Sequence, residues 1–587
     1  MKPLHASLPV GALTLLLAFS VSATTPSQSA SQGQDPSLVA DQLAQRIRVQ
    51  EGEVSSESRT VALLAISREG AALASTLDPN SGAWRRVQAD RLYALFLAQR
   101  YPDVVAVFRA LEGQRAEPPS YVIAAIAEAL AKTGQAGEAG QLLQGAVSAN
   151  PADTAAAIRY AYSLADQGQH NTAIQYLDQW IANAPRQAPD MPAANADAQL
   201  VLARLQRWDE RFDDAERTLA QVDASKAGES LVVERAALQR QRARPRAAIE
   251  LIDHTGNRDA RETLALAWMD LGRPDRAYAV LGMDGDADLQ KRIELTMRSR
   301  GAISARYGES RSAAIASPNG AQESSMSVRV DGPLLADGWR IGAHLADHRA
   351  QFRDATPVAR YAGVRLGRTL TGGEAALEAG RSFDRFLPQA YAVLDSSVWT
   401  SDQLRLGARL GINDPESSLQ ARASGIGSDT AAISATYRHG ERWRIDGGLQ
   451  AAHFDDGNRR QSVSFGGEAR IRAHAGTVTS AFASVYASAN SLHDAAYFNP
   501  RRDASVEAGL VHGFRGFAKS WQSVRPSVVE YWQQGFGSHL VPRLGYAMRF
   551  GAGAGRWWQL DLAAARPVYD GRRETQGSIA LGYGWGD

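Results

Sequence analysis

The stretch QLRLGARLGIN, residues 403–413, alternates between apolar and polar side chains without a break. Leu404, Leu406 and Leu410 share one parity, whereas Arg405 and Arg409 share the other. Successive side chains of a β-strand point to opposite faces, so the stretch predicts a strand with one apolar face and one arginine-bearing face. Such a strand suits a sheet that separates hydrocarbon from water.

The same alternation returns up to the last residues of the chain. It is clear in YAGVRLGRTL (361–370), RWRIDGGLQA (442–451), VSFGGEARIRA (463–473) and GSIALGYGWGD (577–587). About sixteen such runs lie between Ser304 and the last residue, an even number that is typical of bacterial outer-membrane barrels. The sequence therefore predicts a 16-stranded antiparallel transmembrane β-barrel over residues 299–587.

A soluble all-β domain is the alternative, but its core should contain mostly large side chains. Here the apolar faces mix Leu and Val with many Ala, and the opposite faces carry Gly, Ser and Arg, which favours lipid outside and a wet lumen inside. The tryptophans near strand ends are predicted to form an interfacial girdle: Trp339, Trp399, Trp443, Trp521, Trp532, Trp557 and Trp558.

The segment before the barrel has helical spacing and an internal repeat. Residues 131–151 and 165–185 align at an offset of 34. The matched positions are Gly134 with Gly168, Ala139 with Ala173, and Pro151 with Pro185. Small residues where two helices cross, at this period, predict a superhelix of tetratricopeptide (TPR) repeats over residues 38–298. A run of unrelated amphipathic helices is the alternative. The chain is thus a two-part α+β protein.

The first residues predict export. Lys2 precedes a short apolar run that ends in Val21-Ser22-Ala23, which is typical of a secretory signal peptide over residues 1–23. A polar leader that is predicted to be disordered follows over residues 24–37. A membrane anchor is the alternative. The chain has no cysteine, which excludes disulfides, thiolate nucleophiles and lipoprotein processing. Its net charge of +1 gives no reason to expect nucleic-acid binding.

No catalytic, cofactor-binding or metal-binding constellation is expected, so the sequence does not predict an enzyme. His344 and His348 in HLADH mimic a zinc-protease motif, but the required helix and glutamate are absent. The lumen-facing charges are instead expected to line a polymer path. They are Arg365, Arg405, Arg409, Arg444, Asp446, Glu468, Arg470 and Arg472. Pairing of these charges across strands, which would merely stiffen the wall, is the alternative for each.

An exported chain with TPR repeats and a C-terminal barrel resembles bacterial outer-membrane exopolysaccharide exporters, above all the PgaA/HmsH-type poly-β-1,6-N-acetyl-D-glucosamine export porin family. The segment YFNPRRD sharpens the resemblance; it contains Tyr497, Phe498, Pro500, Arg501, Arg502 and Asp503. The TPR region is shorter than is usual in that family, and the lumen is richer in arginine than a partly cationic glycan would suggest.

The resemblance implies export of a partly deacetylated glycan through the barrel, in support of biofilm formation. It also implies an outer-membrane location with the TPR region in the periplasm. The implied partners are a periplasmic polysaccharide N-deacetylase, an inner-membrane glycosyltransferase complex acting indirectly, the exopolysaccharide and outer-membrane lipid. The alternatives are a surface receptor or assembly scaffold with a plugged barrel anchor, and a cellulose-type exporter.

Overall fold

The computed structural model describes most of the chain beyond the first 35 residues. The described residues are 36–51, 57–114, 118–183, 191–253, 256–282, 285–311, 318, 320–474, 476–492, 494–517, 520–551 and 555–586. The predicted signal peptide, the leader up to residue 35 and Pro185 lie outside them.

Helices occupy the described chain as far as Met297. Their bounds are α1 Pro36–Glu51, α2 Glu57–Thr76, α3 Gly82–Leu97, α4 Tyr101–Gly113, α5 Ser120–Lys132, α6 Ala136–Ala149, α7 Thr154–Asp166, α8 His170–Asn183, α9 Met191–Trp208, α10 Phe212–Gln221, α11 Ala224–Ala227, α12 Glu229–Gln241, α13 Pro245–Ile252, α14 Arg258–Asp270, α15 Pro274–Leu281 and α16 Ala287–Met297. Among the described residues, none of the helices combines the length and the apolar character needed to cross a membrane.

Six helix pairs share one kind of tight turn. A residue with positive φ follows the first helix of each pair, namely Gln99, Gly134, Gly168, Glu210, Ala243 and Gly272. The next N–H then reaches back across the helix end; Gln169 donates to the Leu164 carbonyl at 2.9 Å and Arg273 to the Trp268 carbonyl at 2.9 Å. This is the Schellman pattern, which ends a helix and turns the chain sharply. It recurs because each repeat must fold back on itself.

The chain divides into two compact units, Met1–Ala146 and Val147–Asp587. In the first, Leu43, Ile47, Leu63 and Ile66 are buried in one apolar cluster. In the second, Ala173 and its neighbours on α7 to α9 form another. The small residues of the repeat lie inside: Ala139 is 1% exposed and Ala173 0%, so a larger side chain would have no space there.

Sixteen antiparallel strands close the barrel. Its strands are β1 Arg300–Arg311, β2 Gln322–Asp331, β3 Trp339–Gln351, β4 Val358–Leu370, β5 Gly373–Ser382, β6 Ala390–Trp399, β7 Leu404–Ile412, β8 Ser428–His439, β9 Trp443–Phe454, β10 Arg459–His474, β11 Thr477–Asn490, β12 Arg502–Arg515, β13 Trp521–Gln533, β14 Gly537–Gly551, β15 Arg556–Ala565 and β18 Thr575–Trp585. The two-residue strands β16 Val568–Tyr569 and β17 Arg572–Arg573 form a separate hairpin, a 3₁₀ turn covers Ala336–Gly338, and α17 covers Leu419–Ala423.

Each barrel strand pairs with the next barrel strand along the chain, with β15 pairing directly with β18, and β1 pairs with β18 to complete the ring. Closure leaves no unpaired edge in the sheet. The predicted fold class, TPR-type helices followed by a 16-stranded antiparallel barrel, is confirmed.

The outer face of the barrel is apolar, which is the reverse of a water-soluble core. Leu406, Leu410 and Ile412 on β7 are 44%, 54% and 62% exposed. Large exposed residues of one parity recur on neighbouring strands, as expected for a lipid-facing surface. Arg368 is the exception on β4, and its guanidinium lies 5.2 Å from the centre of the Trp339 ring on the neighbouring strand.

The aromatic girdle differs in part from the prediction. Trp558, Tyr583 and Trp585 share the outer parity and pack side by side, with ring centres 4.7 Å and 6.0 Å apart. Strand alternation places Trp399, Trp521 and Trp557 on the inner face instead, so their assignment to the girdle was wrong. They are barrel-lining residues at the end nearest the helices.

Candidate functional site: the barrel interior and its two rims

Side chains of the inner parity meet across strands that are not neighbours, so they point into the barrel. Arg300 on β1 donates to Glu374 on β5 at 2.5 Å. Arg543 on β14 donates to Glu507 on β12 at 3.2 Å. The interior is therefore a polar surface in which ion pairs connect strands that are not neighbours.

The predicted lumen arginines of β4 and β7 each have a polar partner. Arg365 contacts Asp331 at 3.2 Å and also pairs with Glu374. Arg405 donates to the hydroxyl of Ser397 at 2.8 Å.

Arg409 lies among three carboxylates. It contacts Asp395 at 2.8 Å, Asp414 at 3.1 Å and Glu416 at 3.1 Å. Partners of this kind neutralise most of the positive charge that the sequence suggests. A wall of paired charges offers many hydrogen-bonding groups with little net field.

A second polar group lies on β8 to β10. Arg444 contacts Asp446 at 2.9 Å, and Thr436 donates to the same carboxylate at 2.6 Å. Glu468 is the direct cross-strand partner of Arg444. These three predicted residues are brought together on one patch of the inner wall.

The last two predicted lumen residues lie elsewhere. Arg470 contacts Glu210 of the helical region at 3.2 Å, so it belongs to the barrel rim rather than the central lumen. The pairing register shifts between Arg470 and Arg472, which leaves Ile471 as a bulge. Beyond the bulge Arg472 pairs with Thr479, whose neighbour His512 has the outer parity. Arg472 therefore faces outward, in contrast to the inward position that simple alternation predicts.

His344 contacts Glu378 at 3.0 Å, and Tyr391 donates to the same carboxylate at 2.8 Å. The ring of Tyr361 meets His344 edge-on at 5.4 Å. His344 thus belongs to a hydrogen-bonded aromatic patch of the inner wall. Among the described residues no cluster of three or more metal-ligating side chains occurs.

One end of the barrel, here called the helix-side rim, contacts the helices that precede it within the second unit. The carboxylate of Asp402, in the β6–β7 turn, accepts the N–H groups of Arg246 and Ala247 at 3.0 Å each. These are the first N–H groups of α13, so a barrel residue acts as the N-cap of a helix far away in sequence. The negative charge also matches the positive end of the helix dipole.

Three further contacts surround that cap. Arg246 donates to the Trp399 carbonyl at 2.6 Å, and Arg438 donates to the Ala243 carbonyl at 2.9 Å. The Gly372 N–H donates to the Leu271 carbonyl at 2.8 Å. We call these contacts, with that of Asp402, the rim clamp. Its atoms are mostly backbone groups and a carboxylate, which fixes position more strictly than exposed ion pairs would.

The rim clamp continues on both sides. Arg442 pairs with Asp213, and His474 lies 3.4 Å from the buried carboxylate of Asp209. At the other side, Arg340 donates to the Thr296 carbonyl at 2.6 Å. The connections from β2–β3 to β10–β11 thus contact the helical region. The sequence analysis missed this contact because its residues come from separate turns and helices that are far apart in sequence, such as Arg246 and Asp402.

At the opposite end, here called the distal rim, loops fold into a compact layer. Arg422 of α17 is 1% exposed and donates to Asp384 and Ser382 at 2.6 Å each. Burial opposes ionisation of Asp384, but the hydrogen bonds from Arg422 and Ser382 outweigh it and lower the pKa of this carboxyl. The ion pair is buried, so each partner depends on the other for stability.

The family-like segment belongs to this distal layer. Tyr497 stacks on Phe454 with ring centres 4.9 Å apart, and Asn458 donates to its hydroxyl at 3.0 Å. Burial raises the pKa of Tyr497 to about 12. The Phe498 N–H donates to Gln420 of the α17 loop at 2.6 Å. We call the joined loops 383–389, 413–427, 455–458 and 491–501 the distal cap; position 493 lies outside the described residues.

The rest of the segment continues this role. Pro500 accepts from Asn490 at 2.8 Å, while Arg501 and Arg502 are exposed. Asp503 is buried and accepts from Ser488 and, at 3.3 Å, from Tyr531. Tyr497 to Arg501 also form one side of a cleft of about 920 Å³. The segment therefore holds the distal cap in place rather than lining the central lumen.

The predicted repeat residues lie at turns and helix crossings. Gly134 and Gly168 have φ of 86° and 77°, a conformation that favours glycine. The Pro151 carbonyl accepts the indole N–H of Trp180 at 2.9 Å.

Comparison with known proteins gives a family for each part. Residues 304–585 match the PgaA membrane beta barrel domain, and residues 130–193 match a tetratricopeptide repeat family. The poly-beta-1,6-N-acetyl-D-glucosamine export protein of Escherichia coli K12 is 26% identical over 268 residues. The same identity is found with the protein of that name from Escherichia coli O157:H7.

The aligned part is 44% of this chain and 32% of those relatives, so the chain spans about a third of their length. Among solved structures, a bacterial polysaccharide outer membrane secretin is 20% identical, with a TM-score of 0.45, over 49% of this chain and 98% of that one. An anion-selective porin from Comamonas acidovorans is 11% identical, with a TM-score of 0.30, over 49% and 98%.

Proposed function

Because the chain belongs to the PgaA-type family, with tetratricopeptide repeats before a PgaA membrane beta barrel domain, we propose that it exports an exopolysaccharide through the barrel and across the outer membrane. The polymer is poly-β-1,6-N-acetyl-D-glucosamine in partly deacetylated form, and its export supports biofilm formation. The name of the Escherichia coli relatives supports this choice of polymer.

The observation that carries the proposal is the inner wall. Several of its arginines, among them Arg365, Arg409 and Arg444, are paired with carboxylates, so hydroxyl and amide groups of a passing sugar meet donors and acceptors whose charges are compensated at these positions. Many weak contacts of this kind hold a moving polymer less tightly than one deep site would. Partial deacetylation leaves some ammonium groups on the polymer, and the carboxylates of Glu507 and Asp395 are able to accept from them.

In this proposal the helix-side rim faces the periplasm. The helical region receives the polymer there and docks a periplasmic polysaccharide N-deacetylase, while the inner-membrane glycosyltransferase complex acts further upstream. The rim clamp supports such a role because it holds the helices beside the entrance of the barrel. The chain acts as a conduit and not as an enzyme.

The absence of native cysteine allows a direct test. Ser434 has the inner parity on β8, and Ala435, the next residue, has the outer parity. After reaction with a bulky thiol reagent, S434C should lose single-channel conductance and surface polysaccharide, whereas A435C should retain both. Equal behaviour of the two labelled variants, or unchanged surface polysaccharide in a deletion strain, would refute export through the barrel.

The identity of the polymer is tested separately. Material on cells that carry the chain should be removed by a β-1,6-N-acetylglucosaminidase and should resist cellulase. The opposite pattern would indicate a cellulose-type exporter.

The distal cap favours one second candidate, a receptor or assembly scaffold in which the barrel is a plugged anchor. The buried Arg422–Asp384 pair gives this layer a fixed structure. A plugged anchor should not conduct even when the cap is loosened by R422M, whereas an exporter should conduct in that variant.

A further inference from the structure

Arginine and tryptophan alternate along the inner wall at the helix-side rim. Arg515 at the end of β12 is the direct cross-strand partner of Trp521 at the start of β13. Trp521 is in turn the direct partner of Arg549 on β14. The guanidinium of Arg549 lies 4.5 Å from the centre of the Trp557 ring on β15. We call these four residues the rim row.

Glycines beneath the two indoles shape the row. A Cβ on Gly513 would lie 2.5 Å from Cζ2 of Trp521, and a Cβ on Gly584 would lie 2.4 Å from the ring of Trp557. Each indole therefore lies against the backbone of the wall, in a space that only glycine leaves open. Such a ring is held flat, and its orientation does not depend on another side chain.

The members of the row differ in how much surface they offer. Trp521 is 42% exposed, and Arg515 and Arg549 are exposed as well. Trp557 is only partly exposed, because the wall lies on one side of it and Arg549 lies near the ring. Trp521, with an arginine on either side, is thus the open aromatic surface of the row.

We propose that the rim row is a binding site for acetylated stretches of the glycan as they enter the barrel, a proposal that rests on the proposed function. An indole face packs against the apolar face of a pyranose ring. The flanking guanidinium groups donate to the acetamido carbonyl of an N-acetylated sugar, but they repel the ammonium group of a deacetylated one. The row therefore distinguishes neutral from cationic sugar units at the rim.

The site is tested on the full-length chain in detergent micelles. The probes are the β-1,6-linked pentamers of N-acetylglucosamine and of glucosamine, titrated separately with ligand-observed NMR. The acetylated pentamer should bind more tightly than the deacetylated one at pH 6. W521A should weaken binding of the acetylated pentamer about tenfold, equal to about 1.4 kcal/mol, and W521F should restore much of it.

The matched control is Trp443, which is likewise the first residue of a strand at the helix-side rim but has the outer parity and is 56% exposed. W443A should bind both pentamers as the wild type does. R549Q should reduce the preference for the acetylated pentamer.

Unchanged binding in W521A, equal loss in W443A, or tighter binding of the deacetylated pentamer would each overturn the rim row as a site. Export is measured in parallel through surface polysaccharide in cells. Export that persists while the pentamer data fail would reject the rim row alone, whereas failure of the S434C and A435C comparison would reject export through the barrel.

Discussion

Asp402 has an unusual role in the rim clamp, because this residue caps a helix that precedes it by about 155 positions. Its two carboxylate oxygens accept the N–H groups of Arg246 and Ala247 at 3.0 Å each. Replacing an aspartate N-cap by alanine costs about 1 kcal/mol, and up to about 2 where the site is well formed. Two charge-assisted bonds at a partly buried interface place D402A near the upper value.

A loss of about 2 kcal/mol raises the population of the undocked state roughly thirtyfold, since 1.4 kcal/mol corresponds to a factor of ten. The amide of Gly372 reports this directly, because its N–H donates to the Leu271 carbonyl across the same interface. In D402A, hydrogen exchange at Gly372 should accelerate about thirtyfold. In D402N the acceleration should be much smaller, because asparagine also caps helices well.

Asp286 supplies a matched control. It is the ordinary N-cap of α16 and accepts the Leu289 N–H at 2.7 Å within the helical region. D286A should loosen α16 without changing exchange at Gly372. The reasoning would be refuted if D402A left Gly372 protected, or if D286A exposed it to the same extent.

Three further predictions concern the distal cap and the barrel wall. R422M leaves Asp384 buried without its cation, so exchange in loop 383–389 should accelerate by an amount equal to about 3 kcal/mol; unchanged exchange would contradict the ion pair. Because the pKa of Asp384 is lowered in the folded state, the stabilisation of the distal cap by this carboxylate is present above the ordinary carboxyl pKa of about 3.9 and is lost as pH falls through the lower folded value. The distal cap should therefore stay protected from hydrogen exchange at pH 5 and loosen only in stronger acid. A Cβ at Gly373 would lie 2.0 Å from the Ser397 carbonyl; G373A should therefore reduce the amount of heat-modifiable barrel on gels, whereas G545A, where the nearest atom is 3.6 Å away, should not.

Much of the barrel was predictable because strand alternation is a local property. The parity of Leu404, Leu406 and Leu410 against Arg405 and Arg409 decides the two faces without any knowledge of neighbours. The same rule could have corrected the girdle. Trp557 and Trp558 are adjacent in one strand, so the two rings cannot both face lipid.

Arg472 shows where local reasoning ends. Apolar and polar residues continue to alternate around it, and no residue in this stretch indicates the bulge at Ile471. The register of β10 with β9 is regular as far as Ala469, and the bulge lies beyond it in the pairing with β11, where a shift of one residue reverses the face of the residues that follow. Register is decided by partners that are distant in sequence.

The contacts at the helix-side rim join residues that are distant in sequence, so the sequence alone does not predict them. They nevertheless follow a regular order along the chain. Along the helical region, Glu210, Ala243, Leu271 and Thr296 contact barrel connections in reverse order, from β10–β11 back towards β2–β3. The helices therefore run back along the rim to the place where β1 begins.

The spacing of the strand connections at the rim is close to the spacing of packed helices, which permits this ordered contact. Neighbouring strands lie about 4.8 Å apart, so successive connections at one rim recur at about 10 Å. Packed helices have interaxial distances of about 8–10 Å. A helix pair added or removed between residues 210 and 296 would break this correspondence, whereas one added before residue 147 would leave every contact of the rim clamp unchanged. The number of repeats next to the barrel is thus constrained by the barrel itself.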